Sequence, residues 1–419
     1  MKICTVMPKR ISEERNERNP GRKAPRKQSA CIAQLVRGAP RSAEQGAQAL
    51  WRRLKAPRAA QAEIADPVSV NRYEAYHRSI ENYVGTVKVP VGIVGPLRVN
   101  GRFAQGDYMI PLATTEAALV ASYNRGAKIL SGAGGCNVRI LDQAVSRVPG
   151  FVFASQKDAV DFARWFESQT DAIRQAAEST TRFGRLIRIT CIPEGSYVFL
   201  KLDFFTRDAS GQNMVTIAAQ AVCEYIRTCS PVRPLSVYVE SNFSGDKKAS
   251  RLALNSVRGR KVAAEAVLPE TEVRTGLHTT PAEMVRYFRM AVVACSMAGT
   301  LGTQGQFANG LAGLYLACGQ DVACVAESAI GHTCFEVLPS GDLYCSVSLP
   351  GLMVATVGGG TGLPSQKACL DILGLHGPGK AQALAEVAGG LCLAGEISIV
   401  GAICAGEFTR AHQHMARAS

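Results

Sequence analysis

An α+β fold, with a small antiparallel unit inserted into a larger body of helices and strands, is predicted by three observations. Residues 150–240 run "FVFAS", "KDAVDFARWFESQ", "RLIRITCIP", "SYVFLKLDFFT", "GQNMVTIAAQAVCEYIRT" and "PLSVYVES". Read as strand, helix, hairpin, helix and strand, this is the β-α-β-β-α-β order of the split βαβ, ferredoxin-like unit. The 419 residues are 47% hydrophobic, enough for two or three domains with sizeable cores. The formal charge of +13 is localised: residues 1–60 hold fifteen Lys and Arg against four Glu, which leaves about +2 for the rest. The body is therefore nearly neutral, and only the N-terminal segment looks like a partner for a polyanion.

From the N-terminus, "MPKRISEERNERNPGRKAPRKQSA" is poor in large apolar residues and is expected to be disordered to about residue 30. Residues 1–60 read as a basic tail, with a short amphipathic helix around "AQALWRRLKA". Glu13, Glu14 and Glu17 spoil a transit-peptide pattern, so a solvated extension or a polyanion-binding arm remain as readings. Residues 65–130 mix strands and turns, including "VKVPVGIVGPLRVNG", and end in a helix opened by "ATTEAALVASYNRGAKIL". Thr114 or Thr115 could cap that helix and place Glu116 in its first turn. From residue 260 the pattern is mostly helical, broken by glycine-rich loops and by "LYCSVSLPGLMVATVGGG". The run "GGLCLAGEISIVGAICAG" is interrupted by Glu396 and is helix-periodic, which fits a buried core helix better than a membrane span. With no signal peptide and fourteen cysteines in no zinc spacing, a cytoplasmic protein with reduced thiols and no metal is expected.

Chemistry-bearing residues fall in unusual places. "SGDKKAS" follows an alternating apolar run and puts Asp246, Lys247 and Lys248 beyond a strand end. Adjacent lysines ordinarily project into water; one held in a cleft could polarise a carbonyl. Glu116 and Asp321 lie on otherwise apolar stretches, and His412 sits close to the C-terminus. Each alone fits a capping or solvated group as well as a catalytic one. No G-x-G-x-x-G opens a helix after a strand, so an ordinary Rossmann site is disfavoured. "RDASGQNM" is a weaker equivalent: a strand, a tight turn at Gly211, then a helix whose free N–H groups could hold a pyrophosphate.

Six stretches, "ENYVGTVKVPVGIVGPL", "PLATTEAALVASYNRGAK", "RDASGQNM", "SGDKKAS", "LACGQD" and "VATVGGGTG", occur in the order found in hydroxymethylglutaryl-CoA reductases. The resemblance runs from about residue 70 to the C-terminus and is closer to the eukaryotic and archaeal branch. It implies NADPH as cofactor, a CoA thioester as substrate, and reduction of hydroxymethylglutaryl-CoA to mevalonate. It also implies a homodimer with its sites between subunits. By the same resemblance Lys247 stabilises the developing oxyanion, Glu116 is the acid, Asp321 organises the Lys–Glu pair, and His412 protonates departing CoA. Asp208, Gly211, Asn213 and Met214 match the dinucleotide loop, and Arg182 and Arg417 the arginines that read a 2′-phosphate. Ser122, Asn124 and Arg125 match the CoA side; Arg147, Asp246, Lys248 and Asn309 match the acyl site. The implied domains are 61–149 with 240–419 for substrate and CoA, and 150–239 as the inserted cofactor unit.

Departures from the family pattern cluster on the acyl pocket. Met290 stands for a lysine, with Arg289 adjacent; Glu240 stands for a serine and Val325 for an asparagine. Ser210 and Gln212 replace methionines. Either Arg289 and Lys248 restore carboxylate binding, or the acyl group is not hydroxymethylglutaryl. Ala418 stands at the position of a regulatory serine. A non-catalytic protein using the basic tail is the reading from another class.

Overall fold

The N-terminal segment acquires structure well before residue 60. In the computed structural model residues 43–409 are described, with Ala43–Arg53 and Arg58–Ile64 as helices. Ala43–Arg53 is the amphipathic helix expected around "AQALWRRLKA", while Arg58–Ile64 adds a helix at the end of the segment read as tail. Trp51 anchors the first helix by donating its indole N–H to Val84 O at 3.0 Å. Ala47 packs with Tyr73 and Tyr83, and Tyr76 stacks on Tyr83 at 5.3 Å. Asp66 caps the next turn, accepting from Val68 N and Ser69 N. Among the described residues, 43–88 form one compact unit and 89–409 another.

Ten strands build the second unit: β1 Val91–Asn100, β2 Gln105–Ala113, β3 Cys136–Arg147, β4 Gly150–Val152, β5 Arg185–Glu194, β6 Tyr197–Phe205, β7 Ser236–Tyr238, β8 Gly259–Leu268, β9 His332–Val337 and β10 Leu343–Leu352. Their order is β7-β4-β6-β3-β8-β10-β9, with β5 also on β6 and the β1–β2 hairpin joined to β3. The α+β class is as expected. The chain after residue 260 is mainly helical as expected, and β10 falls on the predicted interruption, but β8 and β9 join it in an antiparallel ribbon that the pattern did not announce. The β8 stretch alternates buried and open side chains along "VAAEAVL", a period-2 signal that its alanines obscure.

Within residues 150–240, β4, β5, β6 and β7 are antiparallel in the order β7-β4-β6-β5. Helix Gln212–Cys229 crosses between β6 and β7, and the first crossover is two helices, Gln156–Glu167 and Thr170–Glu178. Phe151, Phe162, Ile173, Phe204 and Val215 are buried within this segment. The sheet is continuous with the larger body, since Val145–Arg147 of β3 pair with β6 directly ahead of β4.

The apolar C-terminal run is helix Ala381–Cys404, long and apolar enough to cross a membrane by composition but mostly buried in the fold. Glycines let other elements close on it. A Cβ on Gly395 or on Gly310 would come within 2.5 Å of the Tyr123 ring, and one on Gly126 would strike Ala394 O at 1.9 Å. Two buried carboxylates on the helix staple loops. Glu386 accepts from the amides of Arg102, Phe103 and Ala104, and Glu396 from those of Gly305 and Gln306 and from Thr333 Oγ1. Such groups are retained in a core because several donors offset their desolvation.

Candidate active site

After β7 the chain makes a glycine-containing loop that turns Lys247 back toward the body. Gly245 and Lys247 both lie in the left-handed region, at φ 71° and 55°. For lysine that conformation costs about 1 kcal/mol or more, so the surroundings must hold it. Lys247 Nζ lies 3.0 Å from Asp321 Oδ2, with both side chains about two-fifths exposed. Hydrogen bonding to Asp321 raises the Lys247 pKa above its ordinary 10.5, against the lowering effect of burial. Asp321 does not end the preceding helix, which stops at Ala317; it caps the turn Val322–Cys324, accepting from Ala323 N through Oδ1 at 3.1 Å. One oxygen orients the residue and the other meets the lysine.

The pair opens onto a cleft of about 640 Å³. Its lining also includes Ser210–Met214 and the glycine-rich turn Gly358–Thr361. Gly211 is left-handed at φ 74°, and a Cβ there would lie 2.3 Å from Thr206 Cγ2, so no other residue fits without displacement. It opens helix Gln212–Cys229 with no side-chain cap, which leaves first-turn N–H groups available to an anion. Asn213 and Met214 line the cleft. Asp208 instead anchors the loop: its Oδ1 accepts from Ala381 N and its carbonyl from Thr356 N. Thr181 donates to Met214 Sδ at 3.2 Å, so the turn that carries exposed Arg182 rests on the first turn of helix Gln212–Cys229.

Behind Lys247 runs a chain of alternating charges. Glu240 and Asp246 flank Arg147 Nη1 at 2.8 and 3.5 Å, and Asp246 Oδ1 accepts from Arg258 Nη2 at 2.5 Å. Arg258 Nε also meets Glu327 Oε1 at 3.3 Å. Lys248 folds back to donate to Asp246 O at 2.9 Å. Glu240 therefore occupies the arginine assigned to the acyl group.

Other expected residues lie elsewhere. Ser122 and Arg125 share Ser398, with Arg125 Nη1 on Glu407 at 3.2 Å. Asn124 accepts from Gly95 N, and Asn309 is half-buried in the first turn of helix Phe307–Ala317. Glu116 does not enter a helical first turn. The helix starts at Leu119, and Thr114 Oγ1 accepts from Glu116 N, which leaves Glu116 exposed outside the Lys247 cleft. His412 and Arg417, like the tail to residue 42 and Ala418, lie outside the described residues. Arg258, Arg260 and Glu327 do not stand out in the sequence; the signal available is "RGR", two charges around a glycine entering an apolar strand.

Fold and cleft together define an α+β enzyme with a lysine–carboxylate pair beside an anion-ready helix start. The family model described as hydroxymethylglutaryl-coenzyme A reductase matches residues 48–417, and the chain belongs to that family. The 3-hydroxy-3-methylglutaryl-coenzyme A reductase of Methanothermobacter thermautotrophicus is 40% identical over 351 residues, covering 83% of this chain and 88% of that protein. The reductase of the same name from Aeropyrum pernix is 41% identical over 379 residues, covering 88% and 89%. A class II 3-hydroxy-3-methylglutaryl-CoA reductase from Streptococcus pneumoniae, solved bound to NADPH in open conformations, has the same fold. It superposes with a TM-score of 0.64 at 20% identity, covering 87% of this chain and 97% of that one.

Proposed function

We propose that this chain reduces hydroxymethylglutaryl-CoA to mevalonate and free CoA with NADPH. The observation that carries the reading is the Lys247–Asp321 pair at 3.0 Å, in the same cleft as the uncapped helix start at Gly211. Residues present there fit the cofactor. The amides around Gln212 and Asn213 would hold a pyrophosphate, and Gly358 and Gly359, with open space where side chains would stand, let it approach backbone. Arg182, exposed on the turn over Met214, would meet a 2′-phosphate, with Arg417 as its counterpart. When bound, NADPH supplies hydride to the acyl carbon.

Lys247 places a fixed positive charge where the carbonyl oxygen becomes negative, and Asp321 keeps that ammonium charged and aimed. Glu116 would donate the proton needed at the second reduction, and His412 would protonate the departing thiolate. Ser122, Asn124 and Arg125 would face CoA; Arg147, Asp246, Lys248 and Asn309 would shape the acyl site. Glu116 is exposed and does not line its own subunit's Lys247 cleft, which supports a homodimer in which each subunit completes the other's site. Helix Pro281–Ala298 also presents Met290, Val293 and Met297, at 61%, 59% and 84% exposure. An apolar face spaced this way is costly to leave in water and fits burial against a second copy.

The test is to follow NADPH absorbance with hydroxymethylglutaryl-CoA. Two NADPH should be consumed per thioester, with CoA and mevalonate released. Lys247→Ala should lower kcat by about 10²–10³-fold or more while the protein stays folded. Absence of turnover by the wild-type chain, with NADPH bound, would remove the assignment. A second reading, another acyl-CoA, is favoured by Glu240 on Arg147, since that guanidinium is already paired. Met290→Lys separates the two. A lower KM for hydroxymethylglutaryl-CoA supports the first, and no improvement with turnover of another thioester supports the second.

A further inference from the structure

Two arginines, separated by one glycine at the head of β8, reach into the two loops that meet in the cleft. Gly259 is left-handed at φ 82°, and a Cβ on it would lie 2.2 Å from Leu352 O. That turn sends Arg258 and Arg260 to different places. Arg258 is nearly fully buried; its Nη2 donates to Asp246, its Nη1 to Ser146 O at 3.0 Å, and its Nε to Glu327. Asp246 immediately precedes left-handed Lys247. Glu327 is buried with Oε2 unpartnered among the described residues, and burial raises its pKa against the lowering effect of the Arg258 guanidinium. The Lys247 loop is thus tied to β8 through Asp246, and Glu327 holds the other side of the Arg258 guanidinium.

Arg260 is equally buried and pairs with no carboxylate among the described residues. Its Nη1 donates to Val354 O at 2.7 Å and its Nη2 to Arg207 O at 2.5 Å. Arg207 is itself left-handed at φ 55° and begins the loop that ends at Gly211. Val354 precedes the glycine-rich turn that also lines the cleft. Burial pushes the Arg260 guanidinium down to about 10. A charge kept at that cost, without a counter-ion in contact, needs a return, and its contacts are two backbone carbonyls flanking the cofactor region.

We infer that Arg258 and Arg260 are positioning residues with separate duties, Arg258 fixing the loop of Lys247 and Arg260 fixing the loop and turn that receive the dinucleotide. Neither lines the cleft. The strand between β3 and β10 therefore sets the distance between the ammonium and the cofactor, because both loops hang from residues two apart on it. The inference rests on the reductase reading, and its failure is distinguishable from failure of that reading.

The experiment measures NADPH binding directly, by quenching or calorimetry, alongside kcat for the full chain. Arg258→Lys should lower kcat about tenfold or more and leave the NADPH dissociation constant within about twofold. Arg260→Gln, which keeps one carbonyl-directed donor and removes the charge, should raise the NADPH dissociation constant about tenfold. Glu327→Gln is the milder companion should Arg258→Lys not fold, and it should reproduce the kcat loss. For Arg260 the companion is hydrogen exchange of the wild type. Added NADPH should protect Ala209–Gly211 and Val354–Gly358 together, and independent protection would oppose a shared tether. Parallel loss of both quantities in both variants, or the two effects exchanged, overturns the division of labour. A wild-type chain that binds NADPH without turnover instead defeats the reductase reading and leaves the binding arm standing.

Discussion

Asp321 holds the Lys247 ammonium at 3.0 Å, and the sign of the resulting pKa shift sets the pH dependence. A lysine whose folded pKa is raised keeps its charge to higher pH, so its contribution is intact below 10.5 and lost only as pH rises through the raised value. Asp321→Asn removes the largest cause of that shift. The alkaline limb of kcat/KM should then move to lower pH, which a pH–rate profile will record. An unmoved limb would mean that another group titrates there. At this scale much is legible in the sequence, because a lysine pair bounded by small residues and an aspartate ending "LACGQD" are compact motifs. Arg258, Arg260 and Glu327 are not, because a buried charge is recognised by its partners, and these lie 12 to 112 positions away.

Helix Ala381–Cys404 carries the packing on which these loops depend. Tyr123 packs closely on Gly310 and Gly395, and its hydroxyl donates to Gln306 O at 2.6 Å. Gly395→Ala forces a methyl within 2.5 Å of that ring and should cost about 1–3 kcal/mol, read from denaturant unfolding. An effect within error would show that the interface yields. The helix is legible from its apolar period and length, and so are the hairpin β5–β6 and helix Gln212–Cys229. Strand β8 escapes a reading by pattern because alanine-rich alternation is a weak signal. The doubled crossover helix escapes it because "ESQT" reads as a helix end with no sign that a second helix starts at once. Capping signals at "ATTE" place Glu116 one turn too far into its helix. Thr114 spends its hydroxyl on the Glu116 amide, and the helix starts only after left-handed Ala118.

In the proposed reading the site is completed by a second subunit. Met297→Glu puts a charge in the exposed apolar stripe and should shift the chain toward monomer in sedimentation, with activity falling in step. Activity unchanged in a monomer would exclude sites between subunits. Sequence suggests the family and with it a dimer, but not which described side chains lack company within one chain. The central claim is that one ammonium and one carboxyl from different subunits converge on a single carbonyl. Mixing separately inactive Lys247→Ala and Glu116→Gln proteins, unfolded and reassociated together, tests it most directly. Each heterodimer then contains one intact site, so about a quarter of wild-type NADPH consumption should return. Heterodimers that form and stay inactive would contradict the account.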